Sequence, residues 1–354
     1  MQPADTTSEV EGMLYIPDTL VKWPYPSAIN PFYNEVLVEH SEWMKKFLPA
    51  ISKAGLLGIA TNIQSVLFAA RGCPKASKET LRISSDFTGW AFMLDACTDC
   101  QPASVAREVK TLVCHVMHNL EEERPEGEFF LGQLTKEFWQ SALKVATPSM
   151  KERFMQGCET FLDSTITQAE DRDKSILLNR DQYMIHRRDR DNICAQPTFC
   201  SGGLHLNIPI SVFNHPVVRE AESQVALLLT LDNDLLSYTK EYAMGDDGTN
   251  ILTVIMREEN VGLQEAVERL CDLHEEAVER FLYLRDNLPP FDEKVKEELG
   301  QWFDTMGAWV RSNVDWSFEA GRYYGTKGKE ICETRLAPIP RRGKKQSHRA
   351  AVII

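Results

Sequence analysis

The sequence has 354 residues, 43% of them hydrophobic and 26% charged, which is typical of a soluble globular protein with a large core. Its formal net charge of −13 argues against a nucleic-acid binder, because such proteins usually carry a basic face. We find no secretory signal and no apolar run near the roughly 20 residues that span a bilayer, so we expect no stable membrane insertion. Nine cysteines without framework spacing favour reduced thiols and a cytoplasmic location.

The predicted secondary structure is almost entirely helical. Apolar residues recur at helical spacing in many segments, whereas strand-like alternation is nearly absent. The clearest predicted helices span residues 104–121, 135–145, 151–169, 216–243, 261–286 and 293–314. Proline- and glycine-containing breakers separate them, and no stretch has the composition of a linker. We therefore predict one all-α domain over residues 1–338, followed by a basic tail over residues 339–354 that we expect to be disordered.

The first candidate site is the segment FMLDACTDC, residues 92–100. Its carboxylates, Asp95 and Asp99, are four residues apart, so on a helix they share a face and lie one turn apart. Two carboxylates in apolar surroundings repel each other unless a cation lies beside them. Solvated carboxylates at the end of a helix are the alternative interpretation.

The same segment contains two thiols, Cys97 and Cys100, and His115 and His118 follow downstream. The two pairs look like the halves of a zinc finger. However, the segment between them, residues 101–114, is longer than the roughly 12 residues of such a finger, and no hairpin is predicted here. We favour packing roles for the thiols and keep a zinc site as a minor alternative.

The segment YMIHRRDRDN, residues 183–192, contains adjacent arginines, Arg187 and Arg188. Guanidinium groups match phosphate oxygens with two parallel hydrogen bonds, so this pair is a candidate anion site. A surface salt-bridge cluster with the neighbouring aspartates is the alternative.

The segment NDLLSYTKE, residues 233–241, contains the most specific pattern. Asn233, Ser237 and Glu241 recur every four residues, which on a helix forms a column about 12 Å long at 1.5 Å per residue. Amide, hydroxyl and carboxylate oxygens are hard ligands that suit Mg²⁺, particularly when phosphate is a co-ligand. A helix that merely leaves the core is the alternative interpretation.

In this order, the motifs resemble those of a class I terpene synthase of the fungal, especially basidiomycete, sesquiterpene type. The segment NDLLSYTKE is similar to that family's second metal motif, and FMLDACTDC to its aspartate-rich motif. The arginine pair falls where the family has a diphosphate-sensing arginine. In WSFEAGRYYG, residues 316–325, an Arg-Tyr pair falls where the family has one near the C-terminus. Two positions depart from the family pattern, because Ala96 replaces a carboxylate and Asn192 replaces a glycine.

The resemblance implies a single-domain bundle of helices around a central apolar cavity, with residues 1–33 capping the site. It implies Mg²⁺-dependent cyclisation of farnesyl diphosphate, with release of diphosphate, by a monomer or homodimer. By the same resemblance, three Mg²⁺ ions would be held by Asp95, Asp99, Asn233, Ser237 and Glu241. The groups that would bind diphosphate are Arg188, which we favour over Arg187, together with Lys240, Arg322 and Tyr323. The aromatic side chains expected around the hydrocarbon are Phe87, Phe92, Trp309 and Trp316.

Two other functions remain open from the sequence. A chain-elongating prenyltransferase has the same fold but carries two aspartate-rich motifs, whereas this chain has Asn, Ser and Glu at the second, which favours cyclisation. A non-catalytic helical protein that inherited the fold is the other alternative, and the departures at Ala96 and Asn192 give it some weight.

Overall fold

The computed structural model describes residues 12–99, 101–190 and 203–342; the side chains of residues 188–190 are outside the description. Within these ranges the chain forms helices, with one small two-stranded sheet. In chain order the elements are β1 (Met13–Tyr15), α1 (Tyr33–Lys45), α2 (Leu48–Lys53), α3 (Leu57–Asn62), α4 (Ser65–Gly72), α5 (Lys78–Thr98), α6 (Ala103–His118), α7 (Leu131–Ala142), α8 (Pro148–Asp173), α9 (Arg180–Met184) continuing as a π-helical turn (Ile185–Arg190), α10 (Ile210–Phe213), α11 (Pro216–Met244), α12 (Ile251–Glu259), α13 (Leu263–Asp286), α14 (Glu293–Glu319), α15 (Gly321–Tyr324), α16 (Gly328–Thr334) and β2 (Leu336–Pro338).

The predicted all-α class is confirmed, and the six clearest predicted helices correspond to α6, α7, α8, α11, α13 and α14. Their ends are set by local capping. The helix α11 starts with Pro216 in its first turn and ends before Gly245, which has a φ of 70° that favours glycine. The sequence did not predict α1 to α4. Two of these, α2 and α3, have six residues each, which is too short for a periodic pattern to be recognised.

The helices that carry the site motifs, α5, α11 and α14, lie at the centre of one continuous hydrophobic core. Side-chain hydrogen bonds tie α14 to its neighbours: Ser312 donates to the carbonyl of Phe68 at 2.7 Å, and the Trp316 indole donates to the carbonyl of Ile63 at 2.6 Å. Across the described ranges, no helix combines the length and the apolarity needed to cross a bilayer.

The two ends of the described chain pair with each other. Strand β1 runs antiparallel to β2, with Met13 opposite Pro338 and Tyr15 opposite Leu336. The pairing continues beyond β2, because the amide of Ile339 donates to the carbonyl of Gly12 at 2.8 Å. Each strand has only three residues, too few for an alternating pattern to predict it. Residues 343–354 lie outside the described residues, and disorder of the tail stays a prediction there.

The N-terminal segment runs along the outside of the helices. Thr19 donates to Asp232 of α11 at 2.7 Å, and the Trp23 indole donates to the carbonyl of Gly307 in α14 at 2.9 Å. Asn30 then donates through its amide side chain to the carbonyl of Cys73, after α4, at 2.7 Å. The segment therefore ties α11, α14 and α4 together.

The thiols of the first motif have packing positions. Cys97 is fully buried inside α5, and burial raises the pKa of its thiol. By contrast, His115 and His118 lie half-exposed and contact Glu122 and Glu159. These groups do not form a zinc site among the described residues; Cys100 lies outside them.

Candidate active site

Two hollows meet between α5, α11 and the turn that follows α14. The inner one, which we call the aromatic cavity, has a volume of about 180 Å³, and the outer one, which we call the polar mouth, about 370 Å³. They share a rim that consists of Asp95, Arg187, Asn233, Arg322 and Tyr323. The two polar faces that the sequence predicts to converge therefore do meet, directly above an apolar compartment.

Asp95 projects from the last turn of α5 with its side chain about half exposed to the polar mouth. Its Oδ2 atom lies 3.8 Å from Nη2 of Arg322. Desolvation and the charge of Asp99 raise the pKa of Asp95, while Arg322 and Lys240 oppose that shift. A carboxylate held in this way gains stability when a cation binds beside it.

Asp99 lines the same mouth one turn beyond Asp95, although α5 itself ends at Thr98. Asp99 is the C-cap residue, in an extended conformation, and its amide donates to the carbonyl of Asp95 at 2.7 Å. Ala96 is buried in the core and lines neither hollow. Position 96 therefore belongs to the core rather than to the lining of the site in this structure.

The helix α11 contributes the second polar face. Asn233 and Glu241 line the mouth, whereas Ser237 is buried behind Glu241 and donates to its Oε1 at 2.5 Å. Asn250, which caps α12, donates to Oε2 of Glu241 at 3.0 Å. Burial and the nearby Asp234 nevertheless raise the pKa of Glu241 to about 7, against the opposing effect of these hydrogen bonds.

Asp234 follows Asn233 in the motif, and the sequence analysis assigned it no role. In the structure it is buried and accepts three hydrogen bonds: from the Tyr183 hydroxyl at 2.5 Å, from Nη2 of Arg187 at 2.8 Å and from the Ile251 amide at 2.7 Å. It thus joins α9, the π-helical turn and the start of α12 to α11. Its place inside the second metal motif was the only sequence signal that could have identified it.

Cationic groups surround the mouth. Arg322 lies with its Cζ atom 4.9 Å from the centre of the Phe92 ring, and Lys240 with its Nζ atom 5.7 Å from that of Tyr323. Burial and the neighbouring Arg322 lower the pKa of Lys240. The Tyr323 hydroxyl accepts a hydrogen bond from Asn233 at 2.9 Å, and burial raises its pKa.

The arginine pair is described for one member only. Arg187 lines both hollows and contacts Asp234, whereas the side chain of Arg188 lies outside the described residues, as does Asn192. The sequence analysis did not single out Arg172, His186 and Arg342, which also line the mouth.

The aromatic cavity contains all four aromatic side chains predicted to line it: Phe87, Phe92, Trp309 and Trp316. The structure adds Phe68 and Phe161, which the sequence analysis did not single out. Phe68 packs edge-on against Trp309 with ring centres 5.0 Å apart and lies 4.9 Å from the Trp316 ring. Nothing in the sequence distinguishes Phe68 from an ordinary core residue.

Comparison with known proteins identifies the family. The family model described as "Terpene synthase family 2, C-terminal metal binding" matches residues 86–280. Sesquiterpene synthase 14 of Postia placenta is 39% identical over 332 residues, which cover 94% of this chain and 93% of that protein. The chain belongs to the terpene synthase family, among the basidiomycete sesquiterpene synthases.

Other relatives agree with this assignment. Delta(6)-protoilludene synthase 18 of Postia placenta is 36% identical, with 92% of each chain covered, and a Delta(6)-protoilludene synthase of Stereum hirsutum is 33% identical, with 93% of this chain and 89% of that protein covered. Among solved structures, hedycaryol synthase in complex with nerolidol has a TM-score of 0.71 at 20% identity and covers 86% of this chain and all of that chain. At that identity, the match confirms the helical terpene synthase fold alone.

The donor set of this terpene synthase fits a divalent metal, as its metal-binding family requires. Among the described residues, no three His, Cys, Asp or Glu side chains are close enough to form a metal cluster of those residues alone. The α11 motif instead combines one carboxylate with an amide and a hydroxyl. The side-chain nitrogen of Asn233 donates a hydrogen bond to the Tyr323 hydroxyl. Within the described ranges, no group donates to its side-chain oxygen. Such hard oxygen donors suit Mg²⁺. The carboxyl group of Glu241 is also poorly solvated in the mouth, so a bound cation would stabilise its charged form.

A separate cleft of about 750 Å³ shares no lining residue with either hollow. It is lined by the N-terminal segment around Tyr25, by Arg285 at the end of α13 and by Asp304 on α14. No predicted site residue of this terpene synthase lines it. Residues 12–33 line neither the mouth nor the aromatic cavity, so the predicted N-terminal cap stays a prediction for residues 1–11, outside the described ranges.

Proposed function

We propose that the protein is a Mg²⁺-dependent sesquiterpene cyclase that ionises farnesyl diphosphate and cyclises the resulting carbocation, with release of diphosphate. One observation carries this proposal: a mouth rich in hard oxygen and cationic groups opens directly into an aromatic cavity, so that one substrate can place its diphosphate in the first and its hydrocarbon in the second. The names of the relatives, sesquiterpene and Delta(6)-protoilludene synthases, support the same substrate class.

The polar mouth would hold the diphosphate and three Mg²⁺ ions. We assign Asp95, with support from Asp99, to one side of the metal cluster. The α11 column of Asn233, Ser237 and Glu241 is assigned to the other side. The bound Mg²⁺ supplies Lewis acidity that offsets the negative charge on the departing diphosphate.

The side chains assigned to the diphosphate oxygens are Lys240, Arg322, Tyr323 and, from the arginine pair, Arg188 as the resemblance implies. Lys240 and Arg322 are largely desolvated, and their positions are set by packing before any ligand arrives. Preorganised donors of this kind stabilise developing charge without reorganising during the reaction. Arg187 already contacts Asp234, so we assign it to positioning in this conformation.

The aromatic cavity would hold the hydrocarbon and exclude water, because a carbocation reacts with any water that it meets. The faces of Phe92, Trp309 and Trp316 can each stabilise a cation by roughly 0.5–2 kcal/mol. These rings pack against one another; for example, the ring centres of Phe92 and Trp316 are 5.4 Å apart. The packed rings limit the conformations that the substrate's hydrocarbon can adopt.

The deciding experiment is incubation of the purified protein with Mg²⁺ and farnesyl diphosphate, followed by gas chromatography and mass spectrometry of the volatile products. We expect a cyclic sesquiterpene from the wild type and a loss of at least about 100-fold in kcat for Glu241→Gln, which removes a metal carboxylate. The matched control is Glu220→Gln, a surface position on the same helix that pairs with Arg280. Wild-type turnover by Glu241→Gln would contradict the metal assignment.

The competing functions are tested in parallel. Incubation with isopentenyl and dimethylallyl diphosphates would yield a longer diphosphate if the protein were a chain-elongating prenyltransferase. No product from any of these diphosphates would favour a non-catalytic protein. We expect neither result, because the α11 column bears an amide and a hydroxyl with its single carboxylate.

We further propose a cytoplasmic enzyme, monomeric or homodimeric, that does not bind nucleic acid. The formal net charge of −13 supports the last point. A reducing compartment is supported by the cysteines in the described ranges, such as Cys73 and Cys271, which are free thiols.

A further inference from the structure

A close contact under the aromatic cavity involves the last residue of α4. Gly72 is buried, and its Cα lies against the indole ring of Trp309, which lines the cavity. A Cβ atom at position 72 would lie 2.7 Å from Cε2 of that indole and still closer to Cδ2 and Cε3. Real Cβ atoms are essentially never found this close to another atom, so the indole can occupy its present position only because residue 72 has no side chain.

The two helices cannot separate easily to relieve such a contact. The hydroxyl of Ser312, on α14 one turn beyond Trp309, donates to the carbonyl of Phe68 in α4 at 2.7 Å. On its other side, α4 is held by the N-terminal segment, because the amide of Asn30 donates to the carbonyl of Ala70 at 2.9 Å. Tightly packed interiors transmit such a change to the side chains that border free space.

The indole borders free space, because Trp309 is one of the residues that line the aromatic cavity. Trp309 contacts Phe68 edge-on on one side, and the open volume beside it is the aromatic cavity that both rings line. A methyl group at position 72 would therefore displace the indole into the cavity and reduce its depth. The backbone itself would accept alanine, because Gly72 lies in a helix without a positive φ and alanine is a better helix former than glycine.

We propose that Gly72 is a specificity-determining residue: the absence of a side chain at this position lets Trp309 lie back against α4, which sets the depth of the aromatic cavity and hence how the hydrocarbon folds before cyclisation. This inference rests on the proposed function. Gly72 itself does not touch the substrate; it acts through Trp309.

The first test is Gly72→Ala. We expect kcat with farnesyl diphosphate to fall by about tenfold and the ratio of products to shift by a similar factor, because one methylene of pocket volume has effects of this size. The inhibition constant of inorganic diphosphate should change by less than about twofold, since the polar mouth is unaltered. The matched control is Gly300→Ala, the same exchange on α14 at a position where a Cβ would meet nothing within 4 Å.

The second test is the double variant Gly72→Ala, Trp309→Phe. A phenyl ring leaves room for the new methyl group, so we expect Gly72→Ala to change turnover by less than about twofold in the Trp309→Phe background and to leave the product ratio of Trp309→Phe unaltered. Thermal unfolding of all variants separates a cavity effect from destabilisation: we expect turnover and product ratio to change at a temperature where every variant is fully folded.

The outcomes separate this inference from the proposed function. If wild type makes sesquiterpenes and Gly72→Ala retains both its turnover and product ratio, the inference is wrong and the proposed function stands. The inference is also wrong if Gly72→Ala changes turnover and product ratio as much in the Trp309→Phe background as in wild type, because the indole would then not be the group displaced. If wild type turns over none of the diphosphates tested, the proposed function fails first.

Discussion

At the scale of single residues, the site places titratable groups where solvation is poor. Glu241 is the clearest case, because its pKa is about 7 although Ser237 and Asn250 both donate to its carboxylate. Burial and Asp234 outweigh these two bonds. In the metal-free protein the charged form of Glu241 is therefore costly, and a bound cation would remove that cost.

The pH dependence of stability should reveal this cost. Since the folded-state pKa of Glu241 is raised, its destabilising effect is absent below about pH 4.5, the ordinary value for Glu, grows as pH rises from there to about 7, and is constant above that. We expect the metal-free protein to lose up to about 3 kcal/mol over this interval. In the presence of a chelator, the unfolding temperature should fall less steeply from pH 5 to 8 for Glu241→Gln than for wild type.

Magnesium should restore the stability of wild type at pH 8 and leave Glu241→Gln nearly unchanged. The control variant Glu220→Gln should follow wild type in both conditions. Parallel pH profiles for wild type and Glu241→Gln would show that this carboxyl group is well solvated in the folded protein.

The departure at Ala96 can be tested at the same scale. Ala96 is 4% exposed, so Ala96→Asp would bury a carboxylate in the core rather than add a ligand to the mouth. We expect a loss of about 2–4 kcal/mol in the free energy of unfolding and no gain in Mg²⁺ affinity. Chemical denaturation and metal titration measure the two effects, with Ala50→Asp on the exposed face of α2 as control. Tighter Mg²⁺ binding by Ala96→Asp would mean that position 96 faces the metals.

At the scale of elements, the site depends on how α9, α11 and α12 are joined. Asp234, on α11, accepts hydrogen bonds from Tyr183 of α9 and from Arg187 of the π-helical turn that follows it. It also accepts one from the amide of Ile251 at the start of α12. The backbone after α9 widens into a π-helical turn, a feature that is frequent at functional sites. One buried carboxylate thus positions the arginine segment relative to the metal motif.

We expect Asp234→Asn to weaken this junction, because an amide carries no charge to pair with Arg187 and cannot accept all three hydrogen bonds equally well. The free energy of unfolding should fall by about 1–3 kcal/mol. Turnover should fall by at least about tenfold, since small displacements of positioning groups have large effects on rate. Asp181→Asn, at an exposed position on α9, is the control for denaturation and kinetics. Equal behaviour of the two variants would contradict the role of Asp234.

At the scale of the whole molecule, the two ends of the described chain pair with each other, and the C-terminal end then reaches the polar mouth. After β2, the chain continues to Arg342, which donates to the buried Asp247 at 2.8 Å and lies with its Cζ atom 5.1 Å from the centre of the Tyr242 ring. Asp247 belongs to the loop between α11 and α12, and Arg342 itself lines the polar mouth. Residues 339–342 therefore connect the terminal strands to the edge of the candidate site.

Removing this contact should loosen the loop after α11. We expect Arg342→Ala to raise the KM for farnesyl diphosphate by about threefold and to lower stability by about 1 kcal/mol, since the arginine is half-exposed while its partner is buried. Steady-state kinetics and thermal unfolding measure both changes. Arg341→Ala, the exposed neighbouring position, is the control. If both variants raise KM equally, the effect is one of general charge near the mouth rather than of the contact with Asp247.

Much of the fold and part of the site followed from local sequence patterns. Helical periodicity and breaker residues identified the six longest helices after α5, because an amphipathic face is encoded within a few turns of the chain. The oxygen column of α11 was identified for the same reason, since a spacing of four residues places side chains on one face. The terminal strands were missed because they form only by pairing residues more than 300 positions apart.

The sequence alone established a helical protein with two separated polar motifs of a terpene synthase, because these properties depend on neighbours along the chain. Only the tertiary structure decided that Ala96 is buried in the core and that Asp234 joins α9, the π-helical turn and α12 to α11. It also decided that Gly72 lies under Trp309. These facts depend on which distant side chains compete for the same volume, and that competition is settled by packing rather than by local spacing.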